Sequence, residues 1–132
     1  MNKAKRELIE LAIKSADERL LSAKFSLSKG FYNDSISISY YAVLDIARAA
    51  LILVEAFPKS HTGSIHKFSQ EFIKKDIFPK KFGKIMSDIE KDRINADYNF
   101  KRDFNQKETT DIYADALEFV TIVKKYLLGN IK

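Results

Sequence analysis

The chain has 132 residues, of which 45% are hydrophobic and 31% are charged, and its formal net charge is +5. This length and balance predict one globular domain over residues 1–132, and exclude a disordered tail. The absence of cysteine excludes a disulfide scaffold, a thiolate zinc site and a cysteine nucleophile. No signal peptide and no membrane span are expected, because the uncharged runs are short and partly polar, and a cytoplasmic location is predicted.

The first segment predicts a long amphipathic helix. Apolar residues recur at alternating steps of four and three, which places them in one stripe as far as about Ser28. Gly30 predicts the end of this helix, because glycine adopts the left-handed closing conformation without steric cost. Asn33 or Asp34 is expected to cap the next helix by accepting hydrogen bonds from its free N–H groups.

The segment that follows is ambiguous over a few residues. The run "SISISYY" alternates like a strand. Helical spacing nevertheless continues from Ile36 to Val54, and no second strand-like run is available to pair with it. We therefore expect a second long helix that ends near Phe57 and Pro58.

A polar loop and a short third helix are predicted next. The loop, "PKSHTGS", is rich in turn and cap formers. The helix is "IHKFSQEFIKK", and its capping residue is open among Ser60, Thr62 and Ser64.

Two more helices complete the predicted fold. Pro79 suits the first turn of a fourth helix, where its missing N–H is no loss. A fifth helix is capped by Thr109 or Thr110, or starts slightly earlier, and stops at Gly129 and Asn130. The predicted fold class is therefore all-α, an antiparallel up-and-down bundle of about five helices with short links.

Positive charge is concentrated in one part of the chain. The 74–107 segment holds ten Lys or Arg residues and six acidic ones, so it carries an excess of four positive charges. Such an excess favours phosphates and acidic partners. The interspersed acidic residues are equally compatible with an ordinary solvated face.

No motif for metal or cofactor chemistry is recognisable, so neither a metal nor a cofactor is expected. His61 and His66 are the only histidines, and a spacing of five does not place two ligands on one helical face. A surface position is expected for His66. His61, in the polar loop, is expected to contact a backbone group or a phosphate.

Two adjacent tyrosines and one arginine are the remaining candidates for a binding site. Tyr40 lies on the apolar stripe of the second helix, which favours core packing over stacking on a base. Tyr41 points away from that stripe and could reach a neighbouring helix or a second subunit. Arg93 follows Ile85 and Ile89 at steps of four, so it faces the core side of its helix.

The charge of Arg93 needs a partner or solvent, because a guanidinium cannot be neutralised by losing a proton. Spacing alone favours a simple ion pair with Asp97, one turn later, which contributes about 0.3 to 0.5 kcal/mol if it is exposed. The alternative is that Arg93 holds the phosphate of a ligand within the basic segment.

Three stretches of the chain, in their order and spacing, resemble the small prokaryotic HEPN domain proteins. They are "YYAVLDIARAALI", "KSHTGSIHKFSQEFIK" and "FPKKFGKIMSDIEKDRINADYNF". The shared features are a tyrosine-rich start to the second helix, a Ser-His-Ser/Thr-Gly turn, and an arginine followed by Ala-Asp-Tyr late in the fourth helix. The resemblance extends over roughly residues 5–128.

The resemblance implies a helical bundle that dimerises, with the arginine-bearing helices of two subunits lining a shared cleft. It also implies a toxin that is paired with a minimal nucleotidyltransferase antitoxin, as many small HEPN proteins are. Active family members cleave RNA without metal and carry an arginine followed after four to six residues by a histidine. Arg93 matches the arginine, and the matching histidine is missing.

Tyr98 stands where the family's histidine would be. A tyrosine hydroxyl, with a typical pKa near 10, is a poor general base at pH 7, although it can donate to a phosphate or stack on a base. Tyr98 is also a candidate acceptor for the AMP that the transferase adds in some family pairs. Because five positions turn an ideal helix by about 140°, Arg93 and Tyr98 converge only if the helix ends or bends near Asp97, or if a second subunit brings them together.

The leading hypothesis is a homodimeric, toxin-like HEPN protein that binds RNA or a nucleotide in a site containing Arg93, Asp97, Tyr98, His61 and Tyr41. In this hypothesis Arg93 holds phosphate, Asp97 orients Arg93, and Tyr98 supplies a hydroxyl. A second hypothesis is a metal-independent endoribonuclease in which Arg93 and Tyr98 are catalytic. A third is a non-catalytic module that binds a partner protein through its helical faces.

Overall fold

A computed structural model describes all 132 residues as five α-helices joined by short connections. The helices are α1 (Lys3–Ser28), α2 (Tyr32–Leu53), α3 (His61–Phe68), α4 (Lys80–Tyr98) and α5 (Gln106–Asn130). One turn of π-helix, Ser69–Ile73, follows α3 directly. There are no strands, so the predicted all-α bundle is confirmed and the alternating run "SISISYY" is helical.

The second helix is the centre of the bundle, because α2 contacts each of the other four helices. Its packing against α1 is the most extensive in the molecule, and both helices place small residues there. Ala16 and Ala23 of α1 and Ala42 and Ala49 of α2 are fully buried. Small side chains allow two helix axes to approach closely.

By length and composition α2 could cross a membrane, and it is the one helix of the chain that meets this test. Most of its apolar stretch is buried inside the bundle, and the core helix of a folded domain passes the same test. Its apolar character is therefore accounted for by the contacts that it makes with the other helices.

Phenylalanine rings join the C-terminal helices into one core. The ring centroid of Phe119, on α5, lies 5.5 Å from that of Phe68 on α3 and 5.0 Å from that of Phe82 on α4. All three side chains are fully buried. Complete burial of an aromatic ring of this size stabilises the folded state by roughly 1.5 to 3 kcal/mol.

The connection between α1 and α2 differs in part from the prediction. Gly30 has a φ of +80°, so the predicted left-handed closing conformation is confirmed. The prediction that Asn33 or Asp34 caps α2 was wrong, because the helix already begins at Tyr32 and its capping residue, Phe31, offers no side-chain hydrogen bond. Both predicted caps lie inside the first turn.

The limits of the middle helices are also shifted. The helix α2 ends at Leu53, before the predicted end near Phe57, since the chain turns at Glu55 with a left-handed φ of 59°. Of the three possible caps of α3, Ser60 is the one used, and its hydroxyl accepts from the N–H of Gly63 at 2.8 Å. Pro79 lies just before the first residue of α4 rather than inside its first turn.

The helix α5 starts slightly earlier than the two predicted threonines, as the second of the predicted alternatives had it, and Asn105 caps it instead of Thr109 or Thr110. The Asn105 side chain accepts from the N–H of Glu108 at 2.8 Å, and the Glu108 carboxylate accepts from the N–H of Asn105 at 3.2 Å. This reciprocal arrangement is a capping box. The Thr109 hydroxyl donates instead to the Asn105 carbonyl at 2.8 Å. At the other end, α5 continues through Gly129 to Asn130.

Replacing the cap, Asn105→Ala, is expected to lower the free energy of unfolding by about 1 kcal/mol, because the first turn of α5 loses a hydrogen-bond acceptor. Urea denaturation measures this change. Asn33→Ala is the matched control, since Asn33 is exposed and makes no capping bond. Equal losses in the two variants would contradict the assignment of the cap.

Candidate functional site

Arg93 lies in the second half of α4 and turns its side chain towards α2. Only 12% of the side chain is exposed. The guanidinium carbon lies 4.8 Å from the centroid of the Tyr40 ring, within the range of a cation–π contact. The prediction from spacing, that Arg93 faces the core side of α4, therefore agrees with its position.

The ion pair expected between Arg93 and Asp97 is present but loose. The Nη1 atom of Arg93 is 3.7 Å from Oδ2 of Asp97, beyond hydrogen-bond length. The same carboxylate oxygen accepts a long hydrogen bond of 3.5 Å from the hydroxyl of Ser37 on α2. The Nε atom of Arg93 is buried and has no partner. The guanidinium is thus held against an aromatic ring with part of its donor capacity unused.

Tyr40 lies beneath the Arg93 guanidinium, on the core side. Its side chain is 1% exposed, and its buried hydroxyl makes no hydrogen bond of good geometry, although the Arg93 side chain lies close enough to act on it. Burial raises the pKa of the phenol, with the nearby Arg93 charge opposing that shift, so the hydroxyl stays protonated at neutral pH. The core position predicted for Tyr40 is correct, and the same ring also supports the arginine.

His61 is the first residue of α3, where the Ser60 cap fixes the direction of the helix. Its imidazole centroid lies 5.9 Å from that of Tyr40 and 5.8 Å from that of Tyr41. Burial and the charges of Arg48 and Arg93 lower the pKa of His61, and Glu90 opposes this shift. The ring is therefore neutral at pH 7. The contacts of His61 within the chain are with two tyrosine rings and not with the backbone group that was one of its two predicted partners; the other, a phosphate, stays a prediction.

Tyr41 connects the candidate site to the first helix. Its ring is edge-on to that of Tyr40, with the centroids 5.1 Å apart. On its other side the guanidinium carbon of Arg19, from α1, lies 5.3 Å from its centroid, and Arg19 is in turn held by Asp45 at 2.7 Å. Tyr41 therefore packs between neighbouring helices, one of the two positions that its direction predicted.

Arg48 is a member of the region that sequence reasoning missed. It lies on α2, its Nε donates to the hydroxyl of Ser64 on α3 at 3.3 Å, and its charge contributes to the lowered pKa of His61. The sequence does contain a sign that Arg48 has a special position, since Asp45 and Arg48 are the only charged residues between Ser35 and Val54. We call the group formed by Tyr40, Tyr41, Arg48, His61 and Arg93 the Arg93 cluster.

Tyr98 lies outside the Arg93 cluster. It is the last residue of α4, its side chain is 70% exposed, and it makes no aromatic or polar contact with Arg93 within the chain. The helix remains regular through Asp97, so the expected divergence of about 140° is retained. One chain thus brings together Arg93, Asp97, His61 and Tyr41, and leaves Tyr98 on the surface.

Three other features of the chain were compared with the Arg93 cluster as possible sites: metal-ligating groups, the second histidine and an apolar groove. No group of three or more metal-ligating side chains exists. His66 is exposed, as expected, and its ring is 3.0 Å from the side-chain amide of Gln70. An apolar groove of 370 Å³ between α1 and α5 contains no member of the Arg93 cluster. Asp17 and Lys124 of this groove pair with each other, and a smaller concavity between α2 and the following turn is lined by Arg48. We place the candidate site at the Arg93 cluster, because its arginines, histidine and tyrosines lie together there.

Much of the basic excess in the 74–107 segment is neutralised locally. Five of its basic side chains form close ion pairs with carboxylates, and Arg102 with Glu108 is one of these pairs. Exposed pairs of this kind contribute little stability, about 0 to 1 kcal/mol. They do reduce the positive field that a free phosphate would meet, so the segment is less basic than its composition suggests. Arg93 is the basic residue of this segment that is largely buried.

Comparison with known proteins agrees with this architecture. A protein of Methanocaldococcus jannaschii named "Putative toxin" is 32% identical over 127 residues, which cover 96% of this chain and 94% of that protein. A second protein of that organism with the same description is 28% identical over 126 residues, covering 96% and 85% of the two chains. A UPF0332 protein of Gloeobacter violaceus is 28% identical over 113 residues, covering 85% and 90%.

The model of the HEPN domain matches residues 9–126, which include α2, α3, α4 and every member of the Arg93 cluster. The order of motifs from Tyr40 to Phe100 had indicated the same family, and this resemblance is now confirmed. The chain belongs to the HEPN domain family.

Proposed function

We propose that this HEPN protein is a cytoplasmic, toxin-like member of a toxin–antitoxin pair and that it binds RNA through the Arg93 cluster. The two relatives from Methanocaldococcus jannaschii support the toxin-like role through their names. The family resemblance suggests a minimal nucleotidyltransferase as the antitoxin. A free nucleotide is the alternative ligand for this site, because it carries the same phosphate and base as one unit of RNA.

The state of Arg93 is the observation that carries the proposal. A buried donor without a partner costs about 1 to 3 kcal/mol, yet Nε of Arg93 is buried and unpartnered, and Asp97 is 3.7 Å away. A guanidinium with unused donors suits a phosphate oxygen, because its planar fork matches the geometry of the anion. Phosphate binding would satisfy donors that the protein itself leaves free.

The neighbours of Arg93 suit the rest of a nucleotide. Arg48 adds a second positive charge, and His61 is placed next to it at the start of α3. Tyr41 and His61 are partly exposed and offer flat rings to a base. Stacking of one base on such a ring contributes about 1 to 3 kcal/mol and is tolerant of sequence.

A second copy of the chain is proposed to complete the cleft. The end of α4 exposes apolar and aromatic residues that one chain leaves uncovered, namely Ile94, Tyr98 and Phe100, of which the last is 98% exposed. Ile94 and Tyr98 lie four residues apart on one face of α4. Contact between two such faces would cover this surface, place the Arg93-bearing helices side by side, and bring Tyr98 of each copy towards the shared cleft.

Arg93→Ala tests the proposal. We expect at least a tenfold loss of affinity for a fluorescently labelled single-stranded RNA, measured by anisotropy, and a decrease of about one in the slope of log affinity against log salt. Sedimentation should show an unchanged dimer. Lys84→Ala is the matched control, since it also removes one positive charge from α4 but affects a side chain that is exposed and paired with Asp88.

Equal RNA affinity in wild type and Arg93→Ala would overturn the proposal. If the wild type binds neither RNA nor nucleotide, and Arg93→Ala loses the dimer, the non-catalytic interaction module becomes the better description. Co-purification of a nucleotidyltransferase encoded beside this protein would test the toxin–antitoxin part independently.

A further inference from the structure

The first helix carries a second set of apolar residues on the side that faces away from the bundle. Leu11, Leu21 and Phe25 are 62%, 70% and 62% exposed. On a helix of about 3.6 residues per turn they lie about 140° or more from Ala16, which is fully buried in the core. No other helix of the chain covers this side of α1, so the three side chains are free to contact another molecule.

The exposed side of α1 has the residue spacing of a coiled-coil seam. Six exposed residues follow one another at alternating steps of four and three: Glu7, Leu11, Lys14, Glu18, Leu21 and Phe25. We call these residues the outer seam of α1. Such steps give the repeat of about 3.5 residues through which one helix packs along another. Three of the six are apolar and three are charged, so the order of the charges decides what the seam can pair with.

The outer seam is complementary to itself when two copies of α1 run antiparallel. If the two-fold axis passes at the level of Ala16, residues equally far from Ala16 on either side lie opposite each other. Leu11 then faces Leu21 of the second copy, and Lys14 faces Glu18 of the second copy. Because the axis repeats every contact, two leucine contacts and two pairs of opposite charges result. A parallel pair in register would instead place each charge opposite its own sign.

The charges beside the outer seam extend this match. Glu10 and Lys24 flank the seam on the same side of α1, and such flanking positions form ion pairs between the helices of a coiled coil. Both side chains are exposed. The ion pairs that α1 forms within the chain use Lys5, Asp17 and Arg19. The charges of the seam and of its flank are thus unpaired in one chain and of opposite sign where two copies meet.

A shallow hollow on α1 lies where a side chain of the second copy would insert. It is bounded by Glu7, Glu10, Leu11 and Lys14, which share one face of the helix over two successive turns. In a coiled coil each seam residue inserts into a hole formed by four residues of the facing helix. Leu21 of the second copy lies opposite Leu11 in the antiparallel pairing and would fill this hollow.

We infer that the outer seam of α1 is an interface between two copies of this chain, paired antiparallel about Ala16. The seam is separate from the Arg93 cluster and from the exposed end of α4, so this interface and the proposed RNA site do not depend on each other. Charged residues within a seam lower the stability of a coiled coil. The association is therefore expected to be weak and to join two chains, or two dimers, as the protein concentration increases.

Sedimentation of the full-length protein over a range of concentrations tests the interface. Wild type is expected to double its mass as the concentration increases. Lys14→Glu should raise the dissociation constant of this step by about tenfold, because it places a negative charge opposite Glu18 in both halves of the pair. Glu18→Lys should weaken the association equally. The combination of both substitutions restores opposite charges and should bring the constant to within about threefold of wild type.

Leu21→Lys tests the apolar part of the seam. It places a charge at both leucine contacts, so the increase in mass with concentration is expected to disappear. Ile122→Lys is the matched control, because Ile122 is an apolar residue of α5 that is 39% exposed and lies outside the outer seam. This control should associate as wild type does. Circular dichroism should show wild-type helicity in both variants, since both side chains are on the surface.

Disulfide cross-linking tests the antiparallel register. The chain has no cysteine, so Leu11→Cys and Leu21→Cys each introduce a single thiol. A mixture of the two variants is expected to form a disulfide-linked dimer when copper phenanthroline oxidises the thiols. Each variant alone should not cross-link, because its two thiols lie about 15 Å apart along the helix axis, beyond the reach of a disulfide.

Four results would overturn the inference. One is wild-type association in Leu21→Lys, and another is a charge-exchanged combination that associates no better than Lys14→Glu. The third is cross-linking of each cysteine variant alone to the same extent as the mixture. The fourth is a Lys14→Glu variant that associates with itself as wild type does but loses a protein that co-purifies with wild type. In that case the outer seam binds this other protein and not a second copy.

Discussion

Tyr40→Ala is expected to lower the free energy of unfolding by about 3 to 5 kcal/mol, as large aromatic truncations in well-packed cores do. The ring is 1% exposed and belongs to the main hydrophobic core. Removing it leaves a cavity between α2, α3 and α4. Domains of this size are stable by only about 5 to 15 kcal/mol, so the loss is a large part of the total.

The same substitution is expected to abolish RNA binding under conditions where the variant is still folded. Arg93 and His61 both lie against the Tyr40 ring, so both lose their support when it is removed. Circular dichroism at low temperature establishes the folded fraction, and anisotropy with labelled RNA gives the affinity. Wild-type affinity in folded Tyr40→Ala would show that the ring does not position the site.

Tyr40→Phe separates the ring from its hydroxyl. The buried hydroxyl makes no hydrogen bond of good geometry, so its removal should leave the stability unchanged or raise it by up to about 1 kcal/mol. The ring that supports Arg93 is retained. A destabilisation of about 2 kcal/mol or more would mean that the hydroxyl makes a bond that the structure does not contain.

Phe119→Ala is expected to cost about 3 to 5 kcal/mol by the same mechanism and to leave the Arg93 cluster in place. Phe119 is fully buried on α5, where its ring contacts Phe68 and Phe82. Neither of these rings belongs to the Arg93 cluster. RNA affinity of the folded variant should therefore match wild type, in contrast to Tyr40→Ala.

Leu117→Ala is the control for Phe119→Ala. The two residues lie on the same helix, but the side chain of Leu117 is 42% exposed. A partly exposed leucine leaves no closed cavity when it is truncated, so the expected loss is about 1 kcal/mol or less. Thermal unfolding of both variants measures the difference. Equal losses would contradict the packing of α5 described above.

The presence of each helix could be predicted from the sequence, because a helix is indicated by the spacing of apolar residues that are close together in the chain. The apolar stripe of α1 and the long apolar run of α2 are properties of neighbouring residues, and both helices appear as expected. The ends of helices were less predictable, since several residues compete for each cap. At α5 two threonines were favoured, but Asn105 caps the helix because Glu108 completes the reciprocal hydrogen bonds.

The candidate site was predictable in part. Spacing placed Arg93 on the core face of its helix and Asp97 one turn away, and both positions are correct. The contact between His61 and Tyr40 joins residues on different helices, and no periodicity reports such a contact. Arg48 was missed for the same reason, because its partners, Ser64 and His61, lie on the next helix.

By itself the sequence determined the all-α class, the approximate helices, the family resemblance and the unusual placement of Arg93, since each follows from the order and spacing of nearby residues. Only the tertiary structure decided which groups accompany Arg93. The packing of α3 against α2 brings His61 to the ring that holds Arg93, and the regular continuation of α4 turns Tyr98 outwards into solvent. The composition of the site depends on how the helices pack together, and that packing rests on long-range contacts that local patterns do not encode.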